Sequence, residues 1–214
     1  DVVIGTGGNN ELVYALSGRT GQLLWTYGDS AITSDGDING ISITKDYNND
    51  GRKDILVAAT GEGMGNGRHA LIGLNVINGS VLFYIQQGGE FNHSVTSSTS
   101  GGAIDYSSNG GPYGINGFNN SGSQIWSVTS AATVWNLKEL QDINTDGLTD
   151  IAAFIGFSGT LRILSGNNGA QIWTQDLGAS IDGNIRLMRD VSSDGVNAII
   201  AAGATDLYRM ESRD

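Results

Sequence analysis

Short apolar runs alternate with Gly- and Asn-rich turns along the whole chain. Four segments share one pattern: Val13 to Trp25, Leu71 to Phe83, Tyr113 to Trp126 and Leu161 to Trp173. Each is an apolar run, a turn and a second run that closes on an aromatic residue. Asn and Gly accept positive φ at a turn, so the pattern predicts four β-hairpins. No stretch carries apolar residues at helical spacing between caps, and almost no helix is expected.

A second pattern runs out of phase with the hairpins. Asp46-Tyr47-Asn48-Asn49-Asp50-Gly51-Arg52-Lys53-Asp54 and Asp142-Ile143-Asn144-Thr145-Asp146-Gly147-Leu148-Thr149-Asp150 place oxygen-bearing side chains at positions 1, 3, 5 and 9, with Gly at 6. Each leads directly into an apolar run, Ile55 to Ala59 and Ile151 to Ile155. Alternate side chains converge on one point only if the backbone wraps around it, and the Gly permits the sharp turn. Hard oxygen donors so arranged suit Ca2+. The expected ligands are Asp46, Asn48, Asp50 and Asp54 in one loop and Asp142, Asn144, Asp146 and Asp150 in the other. A third, weaker site is expected at Asp190, Ser192 and Asp194, where Ala198 stands at position 9.

Asp46 and Asp142 are separated by 96 positions, and Asp190 follows Asp142 by 48. The implied period near 48 residues indicates a repeat architecture. The copy expected near Ser94 reads Ser94-Val-Thr96-Ser-Ser98-Thr-Ser-Gly-Gly102, with hydroxyls but no carboxylates, so that unit is expected to keep the turn without the metal. Asp1 to Gly5 reads as the tail of another loop. Within one unit the order is acidic loop, strand, short loop, strand, Gly turn, strand, loop, strand. Four strands per unit fit an all-β propeller built from four-stranded blades of about 48 residues, with about four and a half blades present. The approximate units are 1–53, 54–101, 102–149, 150–197 and a partial 198–214, forming one propeller region of a larger protein. Bound metal would pin the junction between the last strand of one blade and the first of the next. An open or solenoid β-stack is the alternative architecture.

Composition narrows the function. Gly accounts for 33 of 214 residues, as a fold with many tight turns requires. The balance of 11 basic and 22 acidic residues gives a net charge of −11, which repels phosphate backbones and excludes nucleic acid as a partner. Without cysteine there is neither a disulfide framework nor thiol catalysis. No apolar span is long enough for membrane insertion. Calcium loops of modest affinity fill reliably where Ca2+ is millimolar. An extracellular or cell-surface location, as a secreted protein or a piece of one, is therefore expected.

The acidic loops with their apolar strands resemble the calcium-loop repeats of FG-GAP propellers. The hairpins resemble the tryptophan-docking repeat of quinoprotein-like propellers: Ala15-Leu-Ser-Gly-Arg-Thr20-Gly21-Gln-Leu-Leu-Trp25 follows Ala-x-Asp-x-x-Thr-Gly-Lys-x-x-Trp, with Ser17 for Asp and Gln22 for Lys. Together they look like propeller regions of large secreted bacterial proteins, including those exported by type IX systems. The resemblance implies that the Arg52 and Leu148 carbonyls complete the two calcium sets. It also implies that Trp25, Trp126 and Trp173 brace neighbouring blades. Trp135 falls outside the hairpin register, as core or as a channel or rim residue able to stack on a sugar.

No Ser/His/Asp order, His-Glu metal cluster or phosphate-binding Gly loop is found, and no catalytic residue is assigned. The expected role is a calcium-stabilised structural or ligand-binding module, with a glycan or surface protein as partner, and with a partner chain at an open propeller edge. The alternative is a calcium-dependent polysaccharide lyase, in which Arg68 or His69 neutralises a uronate or abstracts its proton, or another carbohydrate-active propeller enzyme, with Glu62 and Glu90 among the loop carboxylates open to glycoside hydrolysis.

Overall fold

The computed structural model describes residues 1–8, 11–28, 37–43, 45–60, 69–86, 94–107, 111–178, 184–190, 193, 196–202 and 207–210. These form eighteen strands and no helix. The first sheet holds β1 (Val2–Gly5), β2 (Val13–Leu16) and β3 (Leu23–Tyr27). The second holds β4 (Asp37–Ser42), β5 (Ile55–Thr60), β6 (Ala70–Leu74) and β7 (Val81–Gln86). The third holds β8 (Val95–Ser98), β9 (Gly101–Ser107), β10 (Tyr113–Asn119) and β11 (Gln124–Ser130). The fourth holds β12 (Val134–Glu139), β13 (Ile151–Ile155), β14 (Thr160–Leu164) and β15 (Gln171–Asp176). The fifth holds β16 (Ile185–Met188), β17 (Ala198–Ala202) and β18 (Leu207–Met210). Each sheet is a simple antiparallel meander whose strands pair in chain order.

The continuous apolar runs after the acidic loops follow from how the sheets stack. In β5, Ile55, Val57 and Ala59 pack with Val13, Ala15 and Trp25 of the first sheet. Leu56 and Ala58 point the other way, onto Val95, Ile104 and Phe118 of the third. In β13, Ile151 and Ala153 join Ile115 and Trp126 of the third sheet, while Ala152 and Phe154 join Ile185 and Ile199 of the fifth. A strand that alternates between two dry faces must be apolar at every position. Burying such a side chain stabilises the fold by about 1.5–3 kcal/mol, so sheet stacking is the main source of cohesion.

All four expected hairpins are present: β2–β3, β6–β7, β10–β11 and β14–β15. Each carries a register shift next to its turn, at Ala15/Leu16, Gly73/Leu74, Gly117/Phe118 and Ile163/Leu164. The closing aromatics Trp25, Phe83 and Trp126 lie opposite Ala15, Gly73 and Gly117. A Cβ at Gly117 would stand 2.0 Å from the Trp126 ring, so the indole occupies the space of the absent side chain. Trp173 lies opposite the larger Ile163 and is only half-buried.

Two expectations are corrected by the strand pairing. Each acidic loop joins strands that hydrogen-bond to each other, β4 to β5 and β12 to β13, so it lies within one sheet and not at a junction between sheets. The segment from Ser94 does not keep the acidic turn either. Val95 to Ser98 is a strand, and Thr99 and Ser100 alone connect it to β9.

Candidate functional site

The two acidic loops fold almost atom for atom alike. Asp46 caps its own loop: Oδ1 accepts from the N–H groups of Asn49 and Asp50 at 2.7 and 3.2 Å, and Oδ2 from Gly51 at 2.8 Å. Asp142 accepts from Asp146 at 3.1 Å and from Gly147 at 2.7 Å. Asn48 and Asn144 each accept from the amide two residues on, at 2.9 and 3.0 Å. Asp50 and Asp146 then accept from Arg52 and Leu148, at 2.9 and 3.0 Å. Position 4 adopts the left-handed conformation, with φ of 62° at both Asn49 and Thr145. Ser193, at position 4 of the third loop, has φ of 63° and donates its N–H to Asp190 Oδ1 at 2.6 Å, as Asn49 does to Asp46. Ser192 and Asp194 lie outside the described residues.

Position 9 ties the loop to the hairpin turn of its own sheet. Asp54 Oδ2 accepts from the Tyr47 N–H at 2.9 Å and Oδ1 from the Val76 N–H at 3.3 Å. Asp150 does the same with Ile143 at 2.8 Å and Gly166 at 3.2 Å. In the first sheet, Asp1 Oδ1 accepts from the Gly18 N–H at 3.1 Å, the equivalent bond for a loop tail. Position 5 is tied to the hairpin as well: Asn75 donates to Asp50 at 3.0 Å, and the Ser165 hydroxyl donates to Asp146 at 3.2 Å. Asn75 and Ser165 open the two hairpin turns, and their matching places in the sequence were the available signal for this contact.

Electrostatics separate these positions. Burial pushes the Asp54 and Asp150 carboxyls above the usual carboxylate range, against the pull of their backbone N–H donors. Both side chains are fully buried. Asp50 is held below that range, first by the Asn48 amide and then by the Arg52 N–H and Asn75. At Asp146 burial opposes ionisation, but donors from Leu148, Asn144, Ser165 and Asn167 outweigh it and lower the pKa. The donor set, carboxylate and amide oxygens without sulfur or imidazole, fits a hard cation. Among the described residues, no group of three or more His, Cys, Asp or Glu side chains is gathered as in a formed metal site. The oxygens are instead taken up by the loop's own N–H groups.

The short Thr99–Ser100 connection is clasped by the loops on either side. Lys45 Nζ donates to the carbonyls of Ser98 and Thr99 at 2.8 and 2.7 Å, and the Tyr47 hydroxyl donates to the Gly101 carbonyl at 2.7 Å. From the fourth sheet, Thr149 and Thr99 bond to each other, and the Ser100 hydroxyl donates to the Gly166 carbonyl at 2.8 Å. Glu139 accepts from the hydroxyls of Ser97 and Thr149, both at 2.9 Å. Burial raises the Tyr47 pKa, helped by the charges of Glu139 and Asp54, so the phenol stays a donor. The spacing of acidic residues gave no sign of this clasp.

Two indoles dock on the next sheet. Trp25 Nε1 donates to the Val76 carbonyl at 3.0 Å, and Trp126 Nε1 to the Gly166 carbonyl at 3.1 Å. Gly79 and Gly169, with φ of 72° and 73°, leave the room: a Cβ there would stand 2.6 and 2.7 Å from the rings. Phe83 and Ile85 take the same place against Gly122. Trp135 lies in the strand leading to the second acidic loop, as its register suggested, at a bulge beside Val134. Its ring covers Gly156 and meets Phe157 edge-on, centroids 6.1 Å apart. His69 is half-buried before β6, while Arg68, Glu62 and Glu90 lie outside the described residues.

No family model matches the chain, and no curated protein does. Solved structures do. BamB from Moraxella catarrhalis aligns over 98% of this chain and 56% of its own at 14% identity and a TM-score of 0.56. BBS1N, solved in complex with ARL6DN, aligns over 97% and 56% at 12% identity and a TM-score of 0.66. The quinohemoprotein alcohol dehydrogenase from Comamonas testosteroni aligns over 94% and 38% at 13% identity and a TM-score of 0.62. These are β-propeller proteins of varied roles, and the likeness is one of fold alone. The chain spans about half the length of the structures it matches. No helix among the described residues is long and apolar enough to cross a membrane.

Proposed function

We propose that this chain is a calcium-stabilised β-propeller region of a secreted protein, with the five sheets as consecutive blades and the assembly acting as a ligand-binding module. The observation that carries the reading is the duplicated loop geometry at 46–54 and 142–150, with the same left-handed turn repeated at Ser193. Neutral amide or hydroxyl oxygens can cap such N–H groups as well, whereas carboxylates repeated at positions 1, 5 and 9 in both copies suit a hard cation. Asp46, Asn48, Asp50 and Asp54 hold one Ca2+ with the Arg52 carbonyl, and Asp142, Asn144, Asp146 and Asp150 hold a second with that of Leu148. Asp190, Ser192 and Asp194 form a weaker third site. The bound ion supplies positive charge that offsets the clustered carboxylates and cross-links each loop.

The two terminal sheets leave apolar side chains uncovered. Val2 and Ile4 are 50% and 42% exposed on the face of β1 turned away from the second sheet, and Leu207 is 74% exposed at the other end. Further blades or a partner chain cover such faces. BBS1N carries ARL6DN in its crystal, which supports a protein partner for a fold of this kind; a glycan is the other ligand class.

The test is a thermal melt in millimolar calcium and in excess chelator, with bound metal counted. About two ions and a calcium-dependent rise are expected. Asp50→Ala and Asp146→Ala should lower the melting temperature in calcium and have little effect in chelator. Equal losses in both conditions would overturn the calcium assignment.

A further inference from the structure

The end of the sheets opposite the acidic loops carries a second set of side chains. Phe157 is 58% exposed in the tight turn between β13 and β14, and its φ of 59° is left-handed, a conformation that bulky residues rarely adopt. Such strain persists where the side chain has a use. The ring projects beside Trp135, which fills the space over Gly156. Together they form an aromatic platform at the end of β12.

Next to it, β12 faces β16. Leu137 packs toward the third sheet, so Asn136 and Lys138 point toward the fifth. Asn136 donates to Asn184 Oδ1 at 3.5 Å, and Arg186 also donates to Asn184. The Asn136 Oδ1 atom is buried and accepts no hydrogen bond among the described residues. Lys138 lies two positions beyond Asn136 on the same strand, and Arg186 bonds to the Asn184 that Asn136 meets, so the Arg186 charge bears on Lys138. Burial first, and that repulsion second, lower the Lys138 pKa. Neither cation meets an acidic side chain among the described residues. Two cations therefore lie along the β12–β16 boundary, Arg186 bonded to Asn184 and Lys138 two positions beyond Asn136, in a chain with 22 acidic residues against 11 basic ones.

We propose that the Trp135–Phe157 platform, the Asn136 and Asn184 amides, and the Lys138–Arg186 pair form a binding site for an acidic saccharide, a pyranose bearing a carboxylate. A pyranose offers a C–H face to an aromatic ring, vicinal hydroxyls to side-chain amides, and its carboxylate to a guanidinium or ammonium group. Its hydroxyl supplies a donor for Asn136 Oδ1, and its carboxylate pairs with the two cations. The inference rests on the reading of the chain as a ligand-binding module and assigns that module's ligand class.

The experiment is calorimetric titration of the calcium-loaded chain with uronate disaccharides (galacturonate, glucuronate, mannuronate and guluronate) and with a neutral glucose disaccharide. At least one uronate should bind, and the neutral sugar should bind about tenfold more weakly or not at all. Lys138→Gln and Arg186→Gln should each weaken uronate binding by about tenfold, while the exposed Phe157→Ala should weaken it by about fivefold. Melting temperatures of the variants check folding, and Arg186 and Phe157 are exposed enough to be replaced without loss of the fold. Failure of every uronate to bind would overturn the site. So would binding that all three variants retain, or a neutral sugar bound as tightly as the acids. The same titration in chelator separates the two readings. Uronate binding without any calcium effect on stability leaves the saccharide site standing and removes the calcium assignment, and the reverse outcome does the opposite.

Discussion

Thr99 and Thr149 exchange hydrogen bonds across the boundary between the third and fourth sheets. The Thr99 N–H donates to Thr149 Oγ1 at 2.8 Å, and the Thr149 N–H donates to Thr99 Oγ1 at 2.7 Å. Thr149 is the eighth residue of an acidic loop, and Thr99 belongs to the turn that replaced one. A sheet with no acidic loop of its own is thus held by the loop of its neighbour.

Because each threonine satisfies the other's backbone, their effects should not add. Thr99→Val and Thr149→Val should each cost about 0.5–1.5 kcal/mol, since each removes an acceptor from its partner's N–H. The double variant should cost less than the sum. Urea unfolding of the four proteins gives the coupling energy, and strict additivity would show that the pair is not a unit.

If calcium orders the loop at 142–150, its removal should be felt in the third sheet. Chelation is expected to speed hydrogen exchange at the Thr149 amide and, through the exchanged bonds, at Thr99. The amides of Ile104 and Ile115, in the middle of that sheet, should change least. Exchange followed by mass spectrometry or NMR distinguishes this pattern from uniform loosening.

The pH dependence of the metal-free protein has a definite sign. Burial raises the Asp54 and Asp150 carboxyls above the ordinary value of 3.8. Between 3.8 and the raised values the folded protein holds protons that the unfolded chain has lost. Their contribution is fully present below the ordinary value and is lost as pH rises through the folded one. In chelator, Asp150→Asn should therefore flatten the fall in stability across this window. Bound calcium should reverse the slope, because the ion favours the ionised form. Melts from pH 3 to 7 with and without calcium check both signs.

At the Trp126 dock, Gly169 supplies both a left-handed turn and the space under the indole. Gly169→Ala should destabilise the chain by about 1–3 kcal/mol, from backbone strain and a displaced ring. Trp126→Phe removes the 3.1 Å bond to the Gly166 carbonyl and should cost about 1–2 kcal/mol. Gly21→Ala is the control: its φ is 71°, but no atom lies near the added Cβ, so it should cost the strain alone. Denaturant midpoints rank the three.

Local chemistry was legible in the residues. Asn and Gly at the hairpin turns, and oxygen side chains at fixed intervals around Gly51 and Gly147, each prescribe a backbone shape without help from distant parts of the chain. For that reason the hairpins and the acidic turns could be read directly. The run from Ser94 could not. Its hydroxyl-rich composition suits a turn or a strand equally, and only pairing with Gly101 to Ile104 makes it β8. Phe157 gave no signal, since a left-handed aromatic has no mark in sequence. Asn136 and Asn184 lie 48 positions apart along the chain and bond only because β12 and β16 adjoin.

The sequence alone determined the repeating β-units, the hairpins and the composition of the acidic loops, because each depends on residues within a few positions of one another. The tertiary structure decided the rest: that the loops lie within sheets, that aromatics of one sheet lock the turn of the next, and that Asn136 of the fourth sheet meets Asn184 of the fifth. Those relationships depend on which faces stack, and stacking is set by the summed burial of many side chains. No short pattern encodes that sum.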